Sequence, residues 1–237
     1  MKTILSLLFI LTLSINYASP RADHSLWDEL LKQYVTSAGR VDYKNFKINK
    51  NTVSAYLKEL KAHTPGTDWT KNEKMAYYIN MYNAYTVQFI ISKYPVKSPK
   101  DVSYSGKDIW HLKLVELGNK KLTLTMVEDI LRGYGDPRIH FAINCGAVSC
   151  PKLLNRAYKA ETLNKDLTTQ TKNFINNSTK NIIREKKIQI SKIFEWYAVD
   201  FKTEKTGVID FINKYSKVQI SPKAKIEYLP YSWALNG

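Results

Sequence analysis

Both cysteines of the chain and one of its four histidines fall between His140 and Cys150, inside the run Gly135-Asp136-Pro137-Arg138-Ile139-His140-Phe141-Ala142-Ile143-Asn144-Cys145-Gly146-Ala147-Val148-Ser149-Cys150-Pro151. A thiol ionised by nearby cationic charge or helix-terminal amides is a nucleophile. An imidazole can take up its proton, and amides can stabilise an oxyanion. These types make Cys145 the candidate nucleophile, His140 or His111 its base, and Asn144 an orienting or oxyanion-stabilising group. Ile139 to Asn144 is short, apolar and β-like. As a strand it sets His140, Ala142 and Asn144 on one face and Phe141 and Ile143 on the other. A strict strand puts His140 and Cys145 on opposite faces, so the pair needs a bend, or His111 in its place. Gly146 reads as a turn or as a close approach to a ligand.

The same cysteines admit three states. Cys145 and Cys150 enclose four residues, which suits a disulfide in a loop. They also read as buried inert thiols, or as a pair with one functional thiol. A single histidine with cysteines at five-residue steps is not zinc-finger spacing, so neither a metal nor another cofactor is expected. The chain carries no GxSxG, HExxH, P-loop or dinucleotide-binding fingerprint.

The elements that must hold these residues follow from periodicity and caps. Thr70-Lys71-Asn72-Glu73 is a capping-box pattern opening a helix over about 71–94, which stops before Pro95. That helix is apolar nearly all round, so it is expected to run buried through the middle of the fold. Asn80 and Asn83 share a face within it and either clamp backbone or line a polar pocket. With Arg138 and Ser149 they are the candidate binding residues. A first helix is expected over 25–34, a second over 53–60, and another over 125–132, ending at Gly133. Gly39 to Tyr43 reads as a turn into an extended piece. Residues 109–117 and 121–124 read as a hairpin around Gly118-Asn119. Ile188–Ile190 and Lys225–Tyr228 are further strand candidates, with short helices at 194–197 and 208–215. Helices and strands mix without a βαβ rhythm, so the expected fold is α+β: a single domain with a small, mainly antiparallel sheet.

The chain has 237 residues, 44% hydrophobic and 12% aromatic, enough to bury a core. It opens with Lys2 and the apolar run Ile4 to Ile15, followed by small residues near Ala18 and Ala22. This reads as a secretory signal peptide over 1–18, cut between 18 and 22, with a globular domain over 23–237. The expected location is therefore periplasmic or secreted, with no transmembrane span in the mature chain. The formal charge of +15 comes from 36 Lys and Arg, all but six of them Lys. Scattered lysine is a solvated face, whereas specific nucleic-acid readers favour Arg. No nucleic-acid partner is expected; the partner is an unidentified substrate or an envelope component.

Four segments carry a family resemblance: Arg138 to Ala147 with Ser149-Cys150-Pro151, Asn80-Met81-Tyr82-Asn83-Ala84, Ile193 to Phe201, and Tyr228 to Asn236. In this order they resemble the uncharacterised family called domain of unknown function 547, over about 69–237. The resemblance implies no reaction. Two functions are weighed from the residues themselves. One is a thiol-dependent hydrolase or acyltransferase acting on an envelope or extracellular substrate. The other is a non-catalytic binding module for an anionic envelope polymer or a protein partner, with a structural Cys145–Cys150 bond.

Overall fold

The computed structural model describes residues 19–202 and 207–237, so segment 1–18, the expected signal peptide, lies outside the described residues. Four helices build the first layer: α1 (Ser25–Tyr34), α2 (Tyr43–Ile48), α3 (Lys50–Ala62) and α4 (Lys71–Lys93). The capping box closes as expected, since the Glu73 amide donates to the Thr70 hydroxyl (3.2 Å) and the Thr70 amide to the Glu73 carboxylate (2.6 Å). Sixteen of the 23 residues of α4 are buried, on all sides of the helix, so it is the central buried helix. Helices α2, α3 and the later α5 (Leu124–Arg132) pack on it, and α1 packs on α2 and α3.

The strands are short and fall into three separate sheets. β1 (Ser103–Tyr104) pairs antiparallel with β2 (Lys107–Asp108). β3 (Val115–Leu117) pairs antiparallel with β4 (Lys120–Leu122) around Gly118-Asn119, where Gly118 takes φ 55°. β5 (Ile182–Ile183) pairs antiparallel with β6 (Lys187–Ile190), and β6 pairs parallel with β7 (Lys225–Tyr228). The fold is a single α+β domain, as expected, with its strands split among small sheets. Helix α6 (Leu163–Ile175) packs against residues 137–141, and the short helices α7 (Ile193–Trp196) and α8 (Val208–Asn213) precede β7.

Three local expectations are corrected. Residues 139–144 do not form a strand: Pro137–Phe141 is a 3-10 helix, with Asp136 accepting from the Arg138 amide (3.1 Å). Proline at the first helical position has its φ already set for a helical turn, and the aspartate ahead of it caps the free amides. That chemistry outweighs the β-like apolar run. The extended piece after Gly39 is brief: Val41 bridges antiparallel to Val35, and helix α2 then starts with Asp42 accepting from the Asn45 amide (3.0 Å). The hairpin holds only 115–117 and 120–122, and Trp110 to Leu114 is irregular.

Two hydrophobic cores meet at the 3-10 helix. The larger surrounds α4 and includes Ile139, Ala142 and Ile143. The smaller is a phenylalanine cluster in which Phe141 packs 5.0 Å from Phe174, 5.7 Å from Phe194 and 5.9 Å from Phe201, centroid to centroid. Consecutive residues of one helical turn thus anchor both cores and leave His140 at the seam between them.

Candidate functional site

A cavity of about 320 Å³ opens at that seam. Its walls come from α4 (Tyr82), α5 (Glu128, Asp129, Arg132), the 3-10 helix (His140), the cysteine pair, α7 (Trp196, Tyr197) and the segment after β7 (Tyr231, Trp233).

The loop from Ala142 to Pro151 is held by buried amides. Asn83 donates to the Ala142 carbonyl (3.0 Å) and accepts from the Asn144 amide (2.8 Å). One helix of the central layer therefore seats the start of the loop. Asn80 makes the same two-way clamp on Tyr158, at 2.9 Å in each direction. Asn144 donates to the Pro151 carbonyl (2.6 Å) and accepts from the Gly146 amide (2.9 Å), folding the loop back on itself. Gly146 takes φ +83°, a left-handed turn that a residue with a Cβ adopts only at a cost. The loop closes with a Cys145–Cys150 disulfide, Cα atoms 6.2 Å apart. The Tyr231 hydroxyl donates toward Cys150 Sγ (3.1 Å) and lies 3.3 Å from Cys145 Sγ.

His140 sits 3% exposed, its ring stacked on Tyr197 with centroids 4.0 Å apart. Its Nε2 is 2.7 Å from Asp200, and Arg132 grips the same carboxylate at 2.6 and 2.9 Å. The ionised carboxylate accepts, so Nε2 carries the proton and Nδ1 presents its lone pair. Nδ1 lies 3.8 Å from Glu128 Oε1, and neither atom has a hydrogen-bond partner among the described residues. Burial drives His140 down to about 4, against the pull of Asp200, whose charge Arg132 already balances. Burial likewise pushes Glu128 above the usual carboxylate range, with the Tyr197 hydroxyl and Arg132 opposing. For Asp200 burial works against the charge, but hydrogen bonds from Arg132 and His140 outweigh it and hold the carboxyl low.

Four aromatic rings complete the walls. Trp196 lies 4.8 Å from Tyr231, Tyr231 4.8 Å from Trp233, and Trp233 5.5 Å from Trp110. These pairs meet at 54°, 53° and 69°, so the rings form a tilted aromatic cluster along the cavity wall rather than a flat stack; Trp196 and Trp233 come nearest to parallel, at 27°.

Of the residues singled out in the sequence, His140, Cys145 and Cys150 line this cavity. The bend that His140 and Cys145 require is supplied by the 3-10 helix and the turn after it. His111 is corrected: its side chain is 67% exposed, hydrogen-bonded to Asp108 (2.7 Å), and it lines none of the cavity. Asn80 and Asn83 take the clamping option, their amides spent on backbone. Asn144 faces a second cavity of about 640 Å³ on the other side of the cysteine loop. Arg138 is committed to Asp136 (2.6 Å), Asn164 (2.7 Å) and Thr168 (2.8 Å), tying the 3-10 helix to α6. The Ser149 hydroxyl accepts from the Ser232 amide (2.8 Å). Among the described residues no three His, Cys, Asp or Glu side chains are grouped as a metal site requires.

Glu128 was not among the candidates, although a signal for it exists. It lies on the stripe of α5 that also carries Leu124, Val127 and Leu131, all buried. A carboxylate on a buried stripe marks a polar pocket. The aromatic walls are announced only by the density of Trp and Tyr in 194–197 and 228–233.

Fold and site together define an α+β domain with an aromatic cavity, walled by a disulfide and holding two polar atoms, His140 Nδ1 and Glu128 Oε1, without hydrogen-bond partners among the described residues. Residues 67–175 match the family described as Protein of unknown function, DUF547, so the resemblance to that family is shown over those residues. The match takes in Tyr82, Glu128, His140 and both cysteines; Trp196, Tyr231 and Trp233 lie beyond it. No curated protein and no solved structure matches the chain. Among the described residues no helix is long and apolar enough to cross a membrane.

Proposed function

We propose that the chain is an exported binding module whose aromatic cavity receives a small ligand or the exposed group of a larger one, with Cys145–Cys150 as a structural wall. The observation that carries this is the sulfur pair itself: both sulfurs are bonded to each other, beneath Tyr231, at the cavity surface. A bonded sulfur has no thiolate to attack with. His140, the base such a thiol would need, turns Nε2 to Asp200 and Nδ1 toward Glu128. The leader over 1–18 and a disulfide in a small cytosol-incompatible pair both support export. The test is mass spectrometry of the native protein after alkylation without reductant. Unlabelled cysteines, two mass units below the dithiol, are expected; quantitative alkylation of Cys145 in folded protein sinks the proposal.

A second function keeps its place on one specific observation: Cys145 and His140 line the same cavity. Reduction would turn Cys145 into the nucleophile of a thiol-dependent hydrolase or acyltransferase. Turnover of thioester or activated amide substrates by reduced protein, abolished by Cys145→Ala, is the outcome that favours it.

A further inference from the structure

We propose that the cavity binds an alkylated ammonium group, with the rings of Trp110, Trp196, Tyr231 and Trp233 around it and the Glu128 carboxylate as its counter-charge. The inference deepens the binding-module proposal and rests on it.

Glu128 is 8% exposed, and its Oε1 has no donor within reach. Tyr197 and Arg132 satisfy this carboxylate only in part, and a buried carboxylate oxygen left without a donor is costly, so the site is built for a partner that the described residues do not supply. Arg132, the cation one turn along α5, is already engaged: Asp200 holds it at 2.6 and 2.9 Å and Asp129 at 3.3 Å. A ligand cation would fill the role that Arg132 does not.

The aromatic walls select the kind of cation. The faces of tryptophan and tyrosine carry negative charge density and attract cations, most strongly where water is excluded. An ammonium bearing methyl groups is poorly hydrated and offers apolar surface to the rings as well as charge. Trp233 already serves this chain as such a platform, since the Lys100 ammonium lies 4.1 Å from its ring centroid. At about 320 Å³ the cavity is at the small end of ligand sites, the size of a headgroup or a small metabolite rather than a polymer segment. The anionic envelope polymer considered from the sequence does not complement this wall, because Glu128, the carboxyl that lacks a donor at Oε1, repels an anion once it ionises.

The competing ligand class is a neutral polyol that accepts a hydrogen bond from protonated Glu128. pH separates the two. Glu128 must ionise to attract a cation, so cation affinity rises with pH, whereas a neutral acceptor binds better as pH falls. The titratable and charged groups around Glu128 are Asp129 and Arg132 on α5, Tyr82 on α4, His140 on the 3-10 helix, and Tyr197 and Asp200 at and after α7.

The test uses the full oxidised chain and needs no variant at first. Choline and tetramethylammonium are titrated by calorimetry and tryptophan fluorescence against 3,3-dimethylbutan-1-ol, the neutral carbon isostere of choline. Saturable binding is expected, at least about tenfold tighter for the cations, as a desolvated cation–π site and an ion pair require. Affinity rises from acid to neutral pH. Glu128→Gln removes most of the cation preference while the isostere still binds, which shows that the variant is folded. Equal affinity for choline and the isostere overturns the ammonium assignment and leaves a binding module intact. No binding by either, up to their solubility, also overturns it. A reactive Cys145 in the native protein removes the module proposal instead, so the two failures are distinct. Phosphatidylcholine vesicles distinguish the source: co-sedimentation displaced by free choline points to a lipid headgroup, and binding of choline without vesicles to a free small cation. Both uphold the ammonium chemistry.

Discussion

Lowering the pH from 6.5 toward 4 should destabilise the protein through His140. Unfolded, this imidazole titrates near its ordinary 6.5; folded, burial brings it to about 4 despite the carboxylate at 2.7 Å. Between those values the unfolded chain holds a proton that the folded chain refuses, so acid favours unfolding. The stabilisation is full above about 6.5 and is lost as pH falls toward the folded value. At about 1.4 kcal/mol per pH unit the whole interval is worth about 3 kcal/mol, and about 2 kcal/mol has gone by about pH 5. Two neighbours complicate the measurement. Glu128 is shifted the other way: its folded form keeps a proton longer than the unfolded form, so acid favours folding through it. His24, hydrogen-bonded to the Tyr56 hydroxyl at 2.7 Å, is also brought down to about 4 by burial and acts in the same window. The clean comparison is therefore Glu128→Gln against Glu128→Gln with His140→Gln, by urea unfolding at steps from pH 7 to 5. The His140 protein should lose about 2 kcal/mol more over that range than its Gln counterpart, with His24 common to both. Parallel loss in the two proteins would falsify the claim that burial outweighs Asp200 at this ring. A His140 Cε1–H resonance titrating above pH 6 would do the same.

Three further outcomes follow from the cysteine loop. Replacing both cysteines with alanine opens a six-residue ring and should lower stability by about 2 kcal/mol on loop entropy, read as a lower urea midpoint. A change below about 0.5 kcal/mol means that the loop is held without the bond. Asn83→Ala leaves the Ala142 carbonyl and the Asn144 amide buried without partners, at about 1–3 kcal/mol each. The loss should exceed that of an exposed substitution such as Asn72→Ala, and equality of the two would remove the clamp from the account. Gly146→Ala forces an L-residue to φ +83° with its Cβ against Ile90 and the Tyr43 hydroxyl. It should cost more than about 2 kcal/mol, whereas Gly135→Ala, with φ +69° and open space, should cost only the backbone strain.

What was readable in the sequence was what neighbours along the chain decide. The capping box at Thr70 and Glu73 and the mostly apolar stretch to Ile91, closed by Pro95, place α4 almost to the residue. β6 and β7 were readable from β-branched and aromatic residues between turns. The segment at Pro137–Phe141 misled because its apolar content is that of a strand, while its conformation is set by the Asp136-Pro137 pair ahead of it. Choosing between them requires knowing that Ile139 and Phe141 face two different cores, which is tertiary information. The site was half readable for the same reason. Cys145, Cys150 and His140 crowd one stretch of chain, but Tyr82, Glu128, Trp196 and Trp233 meet only because four separate segments converge. Asn83 and Asn144 looked like chemistry and serve architecture, since an amide carries both a donor and an acceptor and suits a backbone clamp as well as a ligand.

The wall of the cavity depends on the two ends of the domain meeting. After β7 the chain runs back along the cysteine loop: Val148 donates to the Ala234 carbonyl (2.7 Å), Ser149 to that of Ser232 (3.2 Å), and Asn236 to that of Gly146 (3.0 Å). The Asn236 side chain accepts from the Tyr43 hydroxyl (2.7 Å) and donates to Asn144 (3.2 Å), joining α2 to the same loop. The three backbone bonds and the Asn236–Asn144 contact need residues 144–149 in one conformation, which the disulfide holds together with the Asn83 and Asn144 amides. Tyr231 and Trp233 ride on this segment, so their rings reach the cavity only when the loop has its closed shape. The bond therefore shapes the cavity at a distance as well as at the sulfurs. Loss of the bond should weaken ligand binding by more than the contacts of the two sulfurs alone would account for. Under the binding-module proposal a structural disulfide and a binding role are in this way a single requirement, because opening the bond would loosen the loop against which Tyr231 and Trp233 are seated.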